Sequence, residues 1–531
     1  MLRTFPLKAS LLIFCTALLS CTYLKFTAVQ ENYSRLQNID PSQANLKHML
    51  DRDTYFVYGK TLDKFHEYTH AEMAVAAYSS KFKKHERVDT MYLSGAGTHY
   101  GLNLPEGSFD LLVYADNNHN RVFENHEVIG RRSLVLQDGD LPDKVFGGEN
   151  ITLNDAEFVA WADTIKSPAK KVIQNSLFYP SGTIRQLSDP IFDENMSVLG
   201  MYDPASFLEQ APTMFYALEE DASYKIPVVF VHGIGGSVRS FEPFLQRLDR
   251  SRYKPWFFYY PSGGDLDQLA SFFYDIFLSG KVIPLSDMPM IVISHSMGGI
   301  VVREAFNKYQ NKSRENKVRL WISLASPLGG HPAAESGVKH GLIVLPAWRD
   351  LNPHGEYIHN LYRNPLPEFI DHQLYYAYET AQDLQSDKGS DGVVPLSSQK
   401  YPMAQQQAQN VLGFEATHTG ILKNEAVLQQ VATQISKVPN MFPSDHLAIL
   451  DQGGFDLPLS DDYSPQARYF IRTVGRYIVA LAKGDVSPFH PTQEHFVEVV
   501  NGERTDAQGM EKDYVRFLKE YQDYLNRKRE S

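Results

Sequence analysis

A serine placed between an apolar run and a pair of glycines is where chemistry first shows in this chain. Residues 291–302 read as a buried strand, a very tight turn carrying Ser296, and the first turn of a helix. A serine held there points its Oγ out of the sheet, beside a helix N-terminus that favours developing negative charge. Serine hydroxyl is a poor nucleophile at neutral pH. It needs a base in contact, a third group to orient that base, and donors aimed at the oxyanion. Downstream, Asp383, Asp387 and Asp391 share one polar loop, and His418 lies between a strand-like run and a helix. Upstream, a glycine-rich loop from His232 to Gly236 follows the apolar strand 226–231.

Four phrases resemble the bacterial lipases and esterases of the α/β-hydrolase superfamily: "VHGIGG" (231–236), "HSMGG" (295–299), "SLASPLGG" (323–330) and "SDGVVP" (390–395). The elbow of that superfamily is G-x-S-x-G. Here its first glycine is Ser294, read as a tolerated small residue at a packing point or as a second hydroxyl near the site. The resemblance implies Ser296 as nucleophile, Asp391 as acid and His418 as base, in the chain order Ser, acid, His. Asp383 and Asp387 remain alternatives for the acid. The resemblance also makes the N–H groups of Ile234 and Met297 the oxyanion donors and leaves His232 a structural role under its loop. His331, His340, His354, His359 and His372 precede the acid, which is the wrong order. His446 falls beyond the expected core, and His490 and His495 fall in a terminal module.

The expected reaction is cleavage of carboxylic esters, lipid or acyl esters above all, through an acyl-enzyme. No metal or organic cofactor is needed for it. Two alternatives stay open: acyl transfer or peptidase action on the same fold, and a surface binding protein with an inactive hydrolase core.

The elements that must position these residues follow from periodicity. From about 225 to 439, continuous apolar strands alternate with helices, which predicts a doubly wound, mostly parallel sheet of α/β class. An irregular insertion at about 331–371, with Ile343, Leu345, Trp348 and Leu351, suits a cap. Residues 51–154 read as a β-rich, sandwich-like domain in which "LPEGSFDLLVYADNN" (104–118) resembles transthyretin-like and carboxypeptidase-regulatory-like sandwiches. Residues 155–224 read as a connecting segment. Residues 449–521 read as a helical accessory module that resembles a domain of the macrodomain Ori organisation protein. Ser464-Pro465 starts its helix and Gly484 ends it.

Within the β-rich part, Asp116, Asn118, Asn120, Glu124 and Glu127 fall on positions 1, 3, 5, 9 and 12 of an EF-hand-type loop. Arg121 occupies the glycine position and a strand precedes the loop, so a polar hairpin is expected rather than a calcium site.

The chain has 531 residues and a formal net charge of −12, which argues against a nucleic-acid partner. Its only two cysteines, Cys15 and Cys21, lie at the start. Residues 1–20 carry Arg3, Lys8 and a short apolar run that ends at Leu18-Leu19-Ser20-Cys21. This resembles a bacterial lipoprotein signal, with Cys21 as the lipidated residue and 21–50 as a tether; an uncleaved membrane anchor is the alternative. Thr22, rather than Asp, after the cysteine favours the outer membrane by the same resemblance. Cys21→Ser is expected to abolish palmitate incorporation and move the protein out of the membrane fraction, as metabolic labelling and fractionation would show.

Overall fold

A computed structural model describes residues 54–530, apart from 81–84, 94, 138–143, 155–157, 168–175, 181, 203, 284–287, 311–316, 341–343 and 387. The expected signal, the expected tether with Cys21, the alternative acid Asp387 and the expected cap residue Ile343 therefore lie outside the described residues.

The first part of the chain is built from short strands: β1 (Thr54–Leu62), β2 (Met73–Ser79), β3 (Glu86–Leu93), β4 (His99–Pro105), β5 (Gly107–Ala115), β6 (Val122–Phe123), β7 (Val128–Leu136), β8 (Val145–Gly147), β9 (Ile151–Thr152) and β10 (Ile165–Lys166). One sheet runs β4-β1-β8 with β9 also on β1, and a second runs β3-β2-β5-β7. Side chains alternate across a strand, so each sheet turns one set inward. Val57 and Leu102 from the first sheet meet Val75, Leu111 and Val113 from the second in one apolar core.

The loop at 116–127 uses its acidic side chains on its own backbone. Asp116 accepts from the N–H groups of Asn120 and Arg121 at 3.1 and 2.9 Å. Glu127 accepts from those of Asn117, Asn118 and Glu124. Arg121 takes a left-handed φ of 64° at the position where glycine was expected. Among the described residues, no group of three or more His, Cys, Asp or Glu side chains is arranged to hold a metal ion.

A seven-stranded sheet follows: β11 (Phe215–Ala217), β12 (Ile226–Val231), β13 (Tyr253–Phe258), β14 (Met290–His295), β15 (Val318–Leu324), β16 (Asp371–Tyr378) and β17 (Asn410–Glu415), in the order β11-β13-β12-β14-β15-β16-β17. The pairs from β12 through β14, β15 and β16 to β17 are parallel, whereas β11 runs antiparallel to β13. Every residue of β12 and β14 is buried, which explains their unbroken apolar runs. The sheet begins earlier than the expected start at 225, because Phe215, Tyr216 and Ala217 add an edge strand from the supposed connecting segment. That segment also holds the helix Glu194–Tyr202. The expected cap carries three short helices, Pro332–His340, Pro346–Asp350 and Glu356–Asn360. Leu345 and Leu351 are buried there and Trp348 is half-buried.

By contacts the chain divides into two compact units. The first holds both the β-rich part and most of the seven-stranded sheet: the described residues up to Glu219, then those of Pro227–Leu248 and Lys254–Val438. Inside it, Phe56 of β1 meets Phe272 edge-on at 4.6 Å, and the Tyr58 hydroxyl donates to Asp275 at 2.7 Å. The β-rich part is thus packed on the helix Leu266–Phe273 and the π-helical turn Tyr274–Leu278 that continues it. The second unit is Glu220–Ile226, Asp249–Tyr253 and Pro439–Ser531, wider than the expected 449–521. Its helix Pro465–Lys483 is capped by the Ser464 hydroxyl at one end and by left-handed Gly484 at the other. Its own apolar core gathers Leu450, Ile471, Ile478 and Phe517. Among the described residues, no helix is long and apolar enough to cross a membrane.

Ser294 has a packing partner that its sequence did not suggest. Its Oγ accepts the indole N–H of Trp321 on β15 at 2.9 Å, with both side chains buried. Ser294→Ala removes that acceptor from a dry core, and chemical denaturation is expected to show a loss of about 1–3 kcal/mol. In a Trp321→Phe background the same substitution should cost much less, because no donor is left to orphan.

Candidate active site

Ser296 sits at the end of β14 with φ of 54°, a left-handed conformation that costs a non-glycine residue energy. The surrounding structure holds it there. Its N–H donates to the Leu324 carbonyl at 2.9 Å, and its carbonyl accepts from Gly299 at 3.0 Å at the start of the helix Gly298–Gln310. Two glycines let the loop after β12 come close. A Cβ on Gly298 would lie 2.5 Å from the His232 carbonyl oxygen, and one on Gly233 would lie 2.5 Å from the Ser296 Cβ. The loop 232–236 therefore passes directly beside the serine.

His418 follows β17 and Asp391 follows β16, so the parallel order of the sheet delivers both to the edge where β14 ends. The His418 Nε2 lies 2.9 Å from the Ser296 Oγ, and its Nδ1 lies 2.7 Å from the Asp391 Oδ2. Asp391 is 1% exposed, and its other oxygen accepts the N–H groups of Val393 and Val394 at 2.9 and 2.7 Å. A carboxylate that accepts at Nδ1 fixes the proton there, which leaves Nε2 as the acceptor for the serine hydroxyl. The main-chain N–H of His418 also donates to the Asp391 carbonyl at 2.8 Å. Such a chain can take a proton from Ser296 and stabilise the imidazolium that results.

The other candidates are placed as follows. Asp383 caps its own turn by accepting from Thr380, and it makes no hydrogen bond to His418. The N–H groups of Ile234 and Met297 have no hydrogen-bond acceptor among the described residues. His232 is buried, stacked on Tyr260 at 4.3 Å, and burial pushes it down to about 4. Its Nδ1 donates to the Gly233 carbonyl at 2.7 Å and its Nε2 accepts from the Tyr260 N–H at 3.3 Å. It braces the loop as a neutral ring.

Three contributors escaped the sequence reading. Gln399 bonds both polar groups of Ala377 on β16 and the Val394 carbonyl, fastening the acid turn to the sheet. His331, at the foot of the cap, donates from Nε2 to the Val393 carbonyl at 2.8 Å. His295 reaches the carbonyl of His418 at 2.9 Å. Nothing in residue type or spacing marks Gln399, and His331 was weighed only as a base and set aside because it precedes the acid. His295 was visible as part of "HSMGG", but without a role.

A central parallel sheet with Ser, Asp and His after its fourth, sixth and seventh strands in chain order decides the architecture. The fold is that of the α/β-hydrolases. Residues 279–349 match the family model of lecithin:cholesterol acyltransferase, a stretch that spans β14, the Ser296 turn, β15 and the first cap helix. Similar solved structures include a mature lipase of Bacillus licheniformis, at 17% identity over 42% of this chain and 97% of that one, with a TM-score of 0.32. Aspergillus fumigatus lipase B is 14% identical over 52% and 65% of the two chains, with a TM-score of 0.33. Legionella pneumophila phospholipase PlaB is 15% identical over 41% and 57%, with a TM-score of 0.30. No curated protein matches the chain in sequence.

Gly233→Ala tests the close approach of the two backbones. The added methyl is fixed to the main chain and cannot swing away, so overpacking of about 1–3 kcal/mol is expected, read as a lowered Tm. The same variant should lose most of the reactivity of Ser296 towards fluorophosphonates while keeping its circular-dichroism spectrum.

Proposed function

We propose that this chain is a serine hydrolase that cleaves carboxylic esters, with lipid or acyl esters as its substrates. The observation that carries the reading is the unbroken hydrogen-bonded chain from the Ser296 Oγ through His418 to a buried Asp391. In this mechanism His418 takes the serine proton at Nε2 as the Oγ attacks the ester carbonyl. The oxyanion is received by the N–H groups of Ile234 and Met297, and each such donor is worth about 3 kcal/mol to the transition state. His418 then protonates the departing alcohol. A water molecule, activated by the same nitrogen, releases the acyl group. Every group in the cycle is a side chain or a backbone amide, so the chemistry calls for no metal or organic cofactor.

One observation supports a lipid substrate: the match of residues 279–349 to the lecithin:cholesterol acyltransferase family. The same family match favours acyl transfer to an alcohol as the second reading, in which an alcohol replaces water in the final step. We further read Cys21 as a lipidated anchor that holds the enzyme at the outer membrane. The two-sheet N-terminal part is read as sandwich-like and the C-terminal unit as an accessory docking module.

Purified protein should take a fluorophosphonate label and hydrolyse p-nitrophenyl esters and phospholipids. Ser296→Ala and His418→Ala are each expected to lower turnover by about 10³-fold or more with little change in Tm. Added long-chain alcohols tell the two readings apart: acyl-alcohol products at the expense of free acid would make transfer the main reaction. Absence of both label and ester turnover in the wild-type protein would remove the hydrolase reading.

A further inference from the structure

His418 has four polar atoms, and each is claimed. Asp391 holds two of them, accepting from Nδ1 with its carboxylate and from the main-chain N–H with its carbonyl. Ser296 holds the third, Nε2. The fourth, the His418 carbonyl, accepts from the Nε2 of His295, the residue immediately before Ser296. The His295 ring is 6% exposed and lies beside the His418 ring, 4.8 Å between centroids.

These four bonds are not equivalent during turnover. Once Ser296 is acylated, its Oγ carries no hydrogen and cannot donate to His418. The two Asp391 bonds persist, but they join the base only to the acid turn, so acid and base could drift together away from the acyl group. Among the described residues, His295 makes the one direct hydrogen bond from the Ser296 turn to the His418 loop that does not pass through a reacting atom. Burial, first of all, pushes His295 down to about 3, so the ring stays neutral. A neutral ring bonded to a carbonyl through Nε2 must carry its proton there.

We propose that His295 is a positioning residue for deacylation: its Nε2–H grips the His418 carbonyl and keeps the base in register with Ser296 while the Oγ is esterified. The inference rests on the serine-esterase reading. In the step concerned, water oxygen forms a bond to the acyl carbon and gives its proton to the His418 Nε2. The tetrahedral intermediate then expels the Ser296 Oγ, which takes that proton back as the acid product leaves. The step works only if Nε2 sits within reach of a water that approaches the acyl carbon, and geometric slips of about 1 Å at this point cost rates of order 10²-fold.

The test is pre-steady-state hydrolysis of p-nitrophenyl butyrate by the full-length protein and two variants. His295→Leu fills similar space without a donor, and His295→Gln carries an amide N–H that reaches the same carbonyl. His295→Leu is expected to lower the deacylation rate at least about tenfold more than the acylation rate, so that a burst of nitrophenolate grows out of the steady state. His295→Gln should bring deacylation back to within about threefold of wild type. If His295→Leu does not fold, His295→Asn, too short to reach the carbonyl, replaces it with the same expectation. Equal losses in both steps, or no recovery with Gln in a folded protein, would reduce His295 to a packing role and overturn the proposal. A wild-type enzyme that shows neither burst nor fluorophosphonate label would instead bring down the esterase reading, and this inference with it.

Discussion

The structure depends on two backbones being allowed to touch. Ser296 occupies a left-handed turn between a strand and a helix, and the loop after β12 runs against it. A side chain on Gly233 or Gly298 would drive these segments apart. Left-handed backbone at a serine is unfavourable by itself, so the strand below and the helix above must supply the compensation. They do so through burial: every residue of β12 and β14 is out of water, and Ile300, Val301 and Val302 of the following helix are fully buried. The hydrophobic effect thus offsets the strain that holds one hydroxyl against His418.

Around that turn, buried histidines are used as struts. His232, His295 and His372 are all pushed down, to about 4, 3 and 3, chiefly because burial disfavours a charged ring. A neutral imidazole with one donor and one acceptor can fix two elements at once. His232 joins its own loop to Tyr260, and His372 meets the Ser323 hydroxyl while stacking on Trp321. His418 differs in its partner: its Nδ1 faces the Asp391 carboxylate at 2.7 Å. The chemistry of each ring is therefore decided by its partner.

The β-rich part is integrated with the seven-stranded sheet more closely than a tethered domain would be. Tyr58 and Phe56 reach the helix that lies against the sheet, so the two parts form one compact unit. The C-terminal unit is held by its own core, and Ser464, Gly484 and a run of apolar residues at helical spacing account for it locally.

What the amino-acid sequence determined was local: the strand–turn–helix at Ser296, the apolar runs that had to be buried strands, the caps at Ser464 and Gly484, and the chain order of Ser296, Asp391 and His418. Each is written in nearest neighbours or in periodicity. Asp391 was preferred over Asp383 on the phrase "SDGVVP" alone; the tertiary structure adds the contact with His418, the burial and the N–H groups that surround it. The edge strand at 215–217 needed the tertiary structure, since it is too short for any pattern and exists because Tyr253–Phe258 offers it a free edge. The meaning of Ser294 and His295 was likewise decided only by contacts at a distance, with Trp321 on the next strand and with a carbonyl 123 residues away. Sequence can name the groups that could react, because reactivity belongs to residue type. Which of them do so follows from desolvation and hydrogen-bond geometry, and these exist only once the chain has closed on itself.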